Sequence, residues 1–161
     1  AHKHWTKYVK MNFLKIVSER INIANFQSLL IEHGAPPEPD LFSLDIDHNT
    51  PHIFKEMTHF KPRVLVLEYN GIFPIKSEWE SNYNPDLGWD GTYKFGSSLK
   101  PLEITARQKG YQLVHCDSTG TNAFFVREDL VKSSFNEPFT TESKHEPYRR
   151  FLVKTIPFSK V

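Results

Sequence analysis

The sequence has few features that would identify a compartment or a partner. Its 161 residues include one cysteine, Cys116, which excludes an internal disulfide framework and favours a reducing compartment. No apolar run approaches the roughly 18 residues of a membrane span. The formal charge of +1 comes from scattered acids and bases and leaves no footprint for nucleic acid or an anionic membrane. We expect a soluble intracellular protein, cytoplasmic or organellar, with no membrane span and no nucleic-acid partner.

Several common catalytic motifs are also missing. The chain has seven glycines but no glycine-rich phosphate loop, Walker sequence, paired-cysteine zinc site or Gly-x-Ser-x-Gly elbow. The sole neighbour that might activate Cys116 is His115, which the strand alternation directs to the opposite face, so Cys116 is predicted to lie in the core. Any chemistry must therefore come from other polar side chains.

What the chain does contain is an alternation of strand and helix patterns. Its length and 39% hydrophobic content suit one domain, predicted at 1–132, with an irregular tail at 133–161. Helices are predicted at 23–33, 49–60 and 98–109, and strands at 12–18, 41–47, 63–70, 111–117 and 122–128. The order predicts an α/β domain with a mainly parallel sheet and an antiparallel C-terminal hairpin.

A long segment without periodicity, residues 71–96, separates the third predicted strand from the next helix. It is rich in aromatic residues, namely Phe73, Trp79, Tyr83, Trp89, Tyr93 and Phe95. Such content argues against disorder, and an irregular connection this long is usually a lid or a binding loop. We refer to residues 71–96 as the aromatic loop.

Acidic and amide side chains end two consecutive predicted strands. Asp45 and Asp47 end the strand at 41–47, and Glu68 and Asn70 end the strand at 63–70. The carboxyl ends of parallel strands meet at one edge of a sheet, where ligands bind in this class of fold. Asp47, Glu68 and Asn70 are therefore predicted to lie in one crevice.

Two explanations of these polar groups remain open at this stage. In the first, Asp47, Asn49 and Thr50 cap the following helix and Glu68 pairs with a nearby cation. In the second, Asp47, Glu68 and Asn70 are hard oxygen ligands for Mg²⁺ or Ca²⁺, or one of them is a general base. His48 is a further candidate for base or ligand.

Four stretches resemble a known family when taken together. They are PDLFSLDIDHNT, PRVLVLEYNGIFP, YNPDLGWDGTYKFGSSLKPLE and KGYQLVHCDSTGTNAFFVREDL. They look like the C-terminal half of class I S-adenosylmethionine-dependent methyltransferase-like proteins of the FkbM type, over roughly residues 12–132. The resemblance implies a Rossmann-like sheet of strand order 3-2-1-4-5-7-6 that lacks its first two strands here. Family members usually have Asp-Gly-Asn where this chain has Asp47-His48-Asn49, which places a bulky side chain where a close turn is expected.

The resemblance also implies an activity, transfer of a methyl group from S-adenosylmethionine to an oxygen of a small molecule or sugar. The catalytic candidates are Asp47, Glu68 and His48. The substrate-binding candidates are Asn70, Trp89, Asp90 and Tyr93, and the cofactor-binding candidate is Asp45. The alternative is a non-catalytic methyltransferase-like subunit of a larger assembly, whose aromatic loop and tail are contact surfaces.

The part of the family fold that holds the cofactor is not in this sequence. The glycine-rich turn after the first strand and the acid that ends the second strand, which binds the ribose, have no counterpart. The chain starts at Ala1, and we expect it to be a mature form or a piece of a longer protein. We therefore expect S-adenosylmethionine to bind weakly or not at all, and the strand at 41–47 to pair with a partner protein or with the missing N-terminal half.

Overall fold

The computed structural model describes residues 2–11, 13–131, 135 and 139–146. The helices are α1 (His2–Lys10), α2 (Phe26–Glu32), α3 (Thr50–Glu56), α4 (Leu99–Gln108), α5 (Glu128–Val131) and α6 (Thr141–Lys144). The strands are β1 (Leu41–Leu44), β2 (Val64–Glu68), β3 (Tyr111–Cys116) and β4 (Asn122–Arg127). Among these helices none has the length and apolar content required to cross a bilayer.

The four strands form one mixed sheet in the order β1-β2-β4-β3. β1 and β2 are parallel, with Leu41 beside Val64, whereas β4 is antiparallel to both β2 and β3. The predicted α/β fold and antiparallel hairpin are confirmed. The prediction of a mainly parallel sheet is wrong, because only one of the three strand pairs is parallel and the other two are antiparallel.

The predicted strand at 12–18 does not form. Residues 13–20 have neither helix nor strand, and residue 12 lies outside the described residues. Phe13 is 76% exposed, and Ile16 and Val17 also face solvent. A short apolar segment forms a strand when a neighbouring backbone completes its hydrogen bonds, and among the described residues no strand lies beside this one.

β1 is shorter than predicted because the chain turns at Asp47. This residue has a φ of 54°, in the left-handed region, and it begins a 3₁₀ turn that runs from Asp47 to Asn49. The amide of Ile46 donates to Oγ1 of Thr50, which links the end of β1 to the start of α3. The turn directs the acidic side chains away from a strand path and toward the end of β2.

The main core lies on one face of the sheet, beneath α3 and α4. Strand residues Leu65, Leu67, Leu113 and Phe125 pack there against side chains that recur at helical spacing. Those helical residues are Ile53, Phe54, Leu99, Leu102 and Ala106. A smaller cluster around Val114, Val126 and Val131 covers the other face. This two-layer packing fixes the strand ends from which the candidate site is built.

Cys116 is buried in the main core, as predicted, and His115 is exposed on the opposite strand face. Within the predicted irregular tail the structure has one short helix among the described residues, α6, whose Thr141 is fully buried. Thr141 donates from both its amide and its hydroxyl to Oε2 of Glu103 in α4. The division into a domain at 1–132 and a tail at 133–161 stays a prediction.

Candidate functional site

A crevice of about 280 Å³ opens at the carboxyl end of β2, between the strand ends and the aromatic loop. Asp47, Glu68 and Asn70 all line it, which confirms the prediction that they share one crevice. The remaining lining residues are Tyr69, Gly71, Ile72, Trp89, Thr92, Tyr93, Phe95, Gly120 and Thr121. The site is thus polar at the strand ends and aromatic at the loop.

Three carboxylates meet at the polar end of the crevice. One oxygen from each of Asp45, Asp47 and Glu68 lies within 4.8 Å of the others. Asp45 is exposed, Asp47 half-buried and Glu68 buried. In the described part of the chain, none of the ion pairs involves these carboxylates. Three acidic side chains are therefore close together, and within the described part of the chain no side-chain cation is paired with them.

Glu68 is the buried member of this group. It is 9% exposed, and among the described residues its Oε2 has no hydrogen-bond partner. Burial, together with the nearby charges of Asp45 and Asp47, raises the pKa of Glu68 to about 8. The predicted ion pair of Glu68 with a nearby cation is not formed, because the described salt bridges of Lys55 and Arg63 go to Glu80 and Asp40. A proton or a bound cation is what this position favours at neutral pH.

The backbone at Asp47 is strained. It is the single non-glycine residue with positive φ among the described residues, and such a conformation costs about 1–3 kcal/mol. The left-handed residue is thus Asp47 and not His48, which explains how a histidine is accommodated beside the turn. A Cβ at Gly96 would lie 3.3 Å from the carbonyl oxygen of Asp47, so the end of the aromatic loop packs closely on this turn.

His48 contacts the aromatic loop and is not part of the carboxylate group. Its Nε2 lies 2.8 Å from the carbonyl oxygen of Asn82, and its own carbonyl accepts a hydrogen bond from Oγ of Ser81 at 2.7 Å. His48 is also not among the residues that line the crevice. A catalytic role for His48 stays a prediction, and its observed contacts are with the loop.

Asn49 holds the aromatic loop in place and does not cap α3 as expected. Its side chain makes no cap hydrogen bond to α3. It is buried, its Nδ2 donates to the carbonyls of Asn84 at 2.8 Å and Leu87 at 3.1 Å, and its Oδ1 accepts from the amide of Asn84. The sequence analysis missed this role because the partners are 35 and 38 residues away in the chain.

Asn70 holds the other end of the loop. Its Nδ2 donates to the carbonyls of Tyr93 at 2.9 Å and Phe95 at 3.2 Å, and its Oδ1 accepts from the amide of Ile72. Both ends of the amide are therefore engaged with protein. Substrate binding or metal ligation by Asn70 stays a prediction, whereas its observed role is to fix the aromatic wall beside the carboxylates.

Trp89 and Tyr93 form the exposed part of that wall. Both line the crevice, and Nε1 of Trp89 donates to the carbonyl of Thr92 at 2.8 Å. Asp90 does not line the crevice: its Oδ1 accepts from the amide and hydroxyl of Thr92, and these bonds lower its pKa. Substrate binding by Trp89, Asp90 and Tyr93 stays a prediction, and the observed contacts of Asp90 are those of the turn at Thr92.

The wall also includes residues that the sequence analysis did not select. Ile72 and Phe95 come from the two ends of the aromatic loop, and Gly120 and Thr121 come from the turn before β4. The hairpin could have suggested Gly120 and Thr121, because β4 runs antiparallel to β2 and its first residues lie beside the end of β2. The signal for Phe95 is its place in the aromatic loop.

A second, larger groove of about 610 Å³ runs along the free side of β1. Asp45, the predicted cofactor-binding residue, lines it together with Lys15 and mainly apolar side chains of α2, β1 and residues 17–21. Asp45 therefore belongs to the carboxylate group and also lines the groove. Nζ of Lys15 donates to the carbonyl of His33, 3.4 Å away.

Comparisons of the chain with models of protein families, with curated proteins and with solved structures gave no match.

Proposed function

We propose that this chain forms the acceptor side of an S-adenosylmethionine-dependent O-methyltransferase of the FkbM-like type, with a hydroxyl of a small molecule or sugar as the acceptor. The observation that carries the proposal is the crevice in which the carboxylates of Asp47 and Glu68 face an aromatic wall. Carboxylates next to aromatic side chains suit a ring that bears hydroxyl groups. The observed strand order also agrees with the 4-5-7-6 part of the order that the resemblance implies.

In this proposal the aromatic wall positions the acceptor. A ring that packs on Trp89 and Tyr93 directs its hydroxyl groups toward the strand ends, where Asp47 lies. The bonds of Asn49 and Asn70 to the aromatic loop hold the wall in place before the acceptor binds. Such preorganisation lowers the cost of orienting the acceptor.

Asp47 is the proposed proton acceptor. S-adenosylmethionine would supply an electrophilic methyl group. As the acceptor oxygen took this group, the bond from the methyl carbon to the sulfonium sulfur would break, S-adenosylhomocysteine would leave, and the hydroxyl of the acceptor would lose its proton. A carboxylate within hydrogen-bond reach of that hydroxyl can take the proton. Asp47 is half-buried and lines the crevice, so it is both accessible and partly shielded from water.

The resemblance implies that a glycine-rich turn and a ribose-binding acid hold the cofactor, and neither has a counterpart in this sequence. The groove along β1 is lined mainly by apolar side chains, and Asp45 is its acidic residue nearest the crevice. We expect calorimetry to detect no binding of S-adenosylmethionine to this chain at micromolar concentrations. Micromolar affinity would mean that another segment provides the contacts.

Acceptor binding is the direct test of the proposal. Saturation-transfer NMR against a panel of monosaccharides, catechols and matched deoxy compounds should detect binders that require the hydroxyl groups. Trp89→Ala and Tyr93→Ala should weaken binding about tenfold, since stacking on each ring is worth roughly 0.5–1.5 kcal/mol beyond the area it buries. Tyr8→Ala, on the exposed surface of α1, is the matched control and should have no effect. Binding that the control and the crevice variants reduce equally, or no binding at all, would contradict the proposal.

The second candidate function is a non-catalytic interaction subunit. It is favoured by the exposed apolar side chains of Phe13, Ile16, Val17 and Ile21, of which Val17 and Ile21 line the groove along the free side of β1. Exposed apolar patches often mark protein contacts. Light scattering that shows self-association, abolished by Phe13→Ser with Val17→Ser, together with an empty acceptor screen, would favour this candidate over the first.

A further inference from the structure

We propose that Asp45, Asp47 and Glu68 form a binding site for one hard divalent cation, of the Mg²⁺, Mn²⁺ or Ca²⁺ class. The inference does not depend on methyl transfer, and it changes the ligand set expected from the sequence. Asp45 joins Asp47 and Glu68, and Asn70, whose amide is engaged with the aromatic loop, is left out.

The geometry of the three carboxylates supports this ligand set. One oxygen of each side chain lies within 4.8 Å of the others. Opposite ligands of Ca²⁺ are about 4.6–5.2 Å apart and those of Mg²⁺ about 4.0–4.2 Å, from metal–oxygen distances of about 2.3–2.6 Å and 2.0–2.1 Å. The upper bound of 4.8 Å on the oxygen–oxygen distances lies within the distance that one Ca²⁺ ion can span, whereas Mg²⁺ or Mn²⁺ requires all three oxygens to lie within about 4.2 Å of one another.

The second observation is the state of Glu68 itself. Its side chain is more than nine-tenths buried, its carboxylate faces the two aspartates, and its Oε2 has no hydrogen-bond partner among the described residues. Helix capping or surface solvation does not explain an acid in this position, because its unpartnered oxygen is shielded from water as well as from donors. A cation between the three carboxylates would give Glu68 the partner that it lacks.

The site has an open side through which a cation and its remaining ligands can enter. Asp47 and Glu68 both line the crevice, and Asp45 is exposed at the edge of the groove along β1. Three protein oxygens leave about three positions of an octahedral ion for water or a ligand in the crevice. The chemistry of the donors, carboxylate oxygen without histidine or cysteine, favours hard cations over Zn²⁺ or Cu²⁺.

The test uses Mn²⁺ as the probe, with the full chain freed of metals by a chelator that is then removed. Free Mn²⁺ is measured by electron paramagnetic resonance during titration, and Tb³⁺ luminescence excited through tryptophan provides an independent readout because Trp89 lines the crevice. We expect one Mn²⁺ per chain, displaced competitively by Mg²⁺ or Ca²⁺. Glu68→Gln and Asp47→Asn should each weaken binding about tenfold or more.

Glu78→Gln is the matched control, since it removes one negative charge from an exposed position of the aromatic loop and should leave affinity unchanged. Circular dichroism checks that each variant is folded. No stoichiometric binding to the wild-type chain, or equal affinity in Glu68→Gln and Glu78→Gln, would overturn the proposal. Because the readout needs neither cofactor nor acceptor, cation binding can be established or refuted separately from methyl transfer.

Discussion

Replacing the buried carboxylate of Glu68 with an amide should make the metal-free chain more stable, although a native polar group is removed. Glu68→Gln keeps the shape of the side chain and removes a charge that is 9% exposed and close to Asp45 and Asp47. The folded-state pKa of Glu68 is about 8, against an ordinary value of 4.5. Ionising the side chain in the folded state is therefore unfavourable at neutral pH.

The size and sign of the effect follow from linkage. Because the pKa of Glu68 is higher in the folded than in the unfolded state, protonated Glu68 contributes its full stabilisation of the fold below about pH 4.5. That contribution is lost as the pH rises through about 8. One pKa unit corresponds to about 1.36 kcal/mol, so the difference between 4.5 and 8 limits the loss in free energy of unfolding to about 5 kcal/mol. About 3 kcal/mol of this loss occurs between pH 5 and pH 8. In a chain of this length, 3 kcal/mol corresponds to roughly 6–12 °C in Tm.

The assay is urea denaturation of the wild-type chain and Glu68→Gln at several pH values between 5 and 8, with a chelator present. The difference in free energy of unfolding should be small at pH 5 and grow in favour of the variant toward pH 8. Comparing the two chains removes the contribution of other titrating groups, such as His52, whose pKa burial lowers. A variant that is less stable than the wild type at pH 8, or a difference that does not change with pH, would refute the reasoning.

Three further predictions concern neighbouring residues. Glu103→Gln should lower stability by about 1–3 kcal/mol in the same urea assay, because this buried glutamate, unlike Glu68, accepts hydrogen bonds from Arg107, Lys100 and Thr141; a variant more stable than the wild type would contradict this difference between the two glutamates. Asp47→Gly should be about 1–2 kcal/mol more stable than Asp47→Ala, because the left-handed φ of 54° penalises a Cβ; equal stabilities would argue against the strain. Asn49→Ala should speed proteolysis in the aromatic loop and cost about 1–3 kcal/mol by leaving buried groups unpaired; unchanged cleavage there would rule out its bracing role.

The helices and strands that the sequence predicts best are those whose buried face is marked by a local pattern of apolar residues. The continuous apolar run at 63–70 becomes β2 (Val64–Glu68), and the helical spacing at 98–109 becomes α4 (Leu99–Gln108). In both, the buried face is encoded in a short window. The segment at 12–18 carries a comparable apolar content but forms no strand, because a strand also needs a neighbouring backbone that the window does not specify.

The candidate site likewise combines features that the local sequence predicts with features that depend on the folded structure. That Asp47, Glu68 and Asn70 share a crevice follows from two parallel strands ending at one edge, and the structure confirms it. The inclusion of Asp45 depends on the turn at Asp47, where an acidic residue adopts a conformation more typical of glycine. The bracing by Asn49 depends on partners more than thirty residues away. Neither feature has a signal in local sequence.

The free side of β1 gives the last prediction. The amide of Val64 donates to the carbonyl of Asp40, and since backbone groups alternate along a strand, Leu41 and Ser43 direct theirs away from β2 while Phe42 and Leu44 face it. No strand within the described residues lies on that open side, and Leu41 is 60% exposed. Pairing with protein outside this chain stays a prediction, and it requires these groups to be available. Hydrogen exchange followed by NMR should therefore show the amides of Leu41 and Ser43 exchanging much faster than those of Phe42 and Leu44. Equal protection of all four would mean that the edge is already covered, and it would remove the reason to expect a pairing partner there.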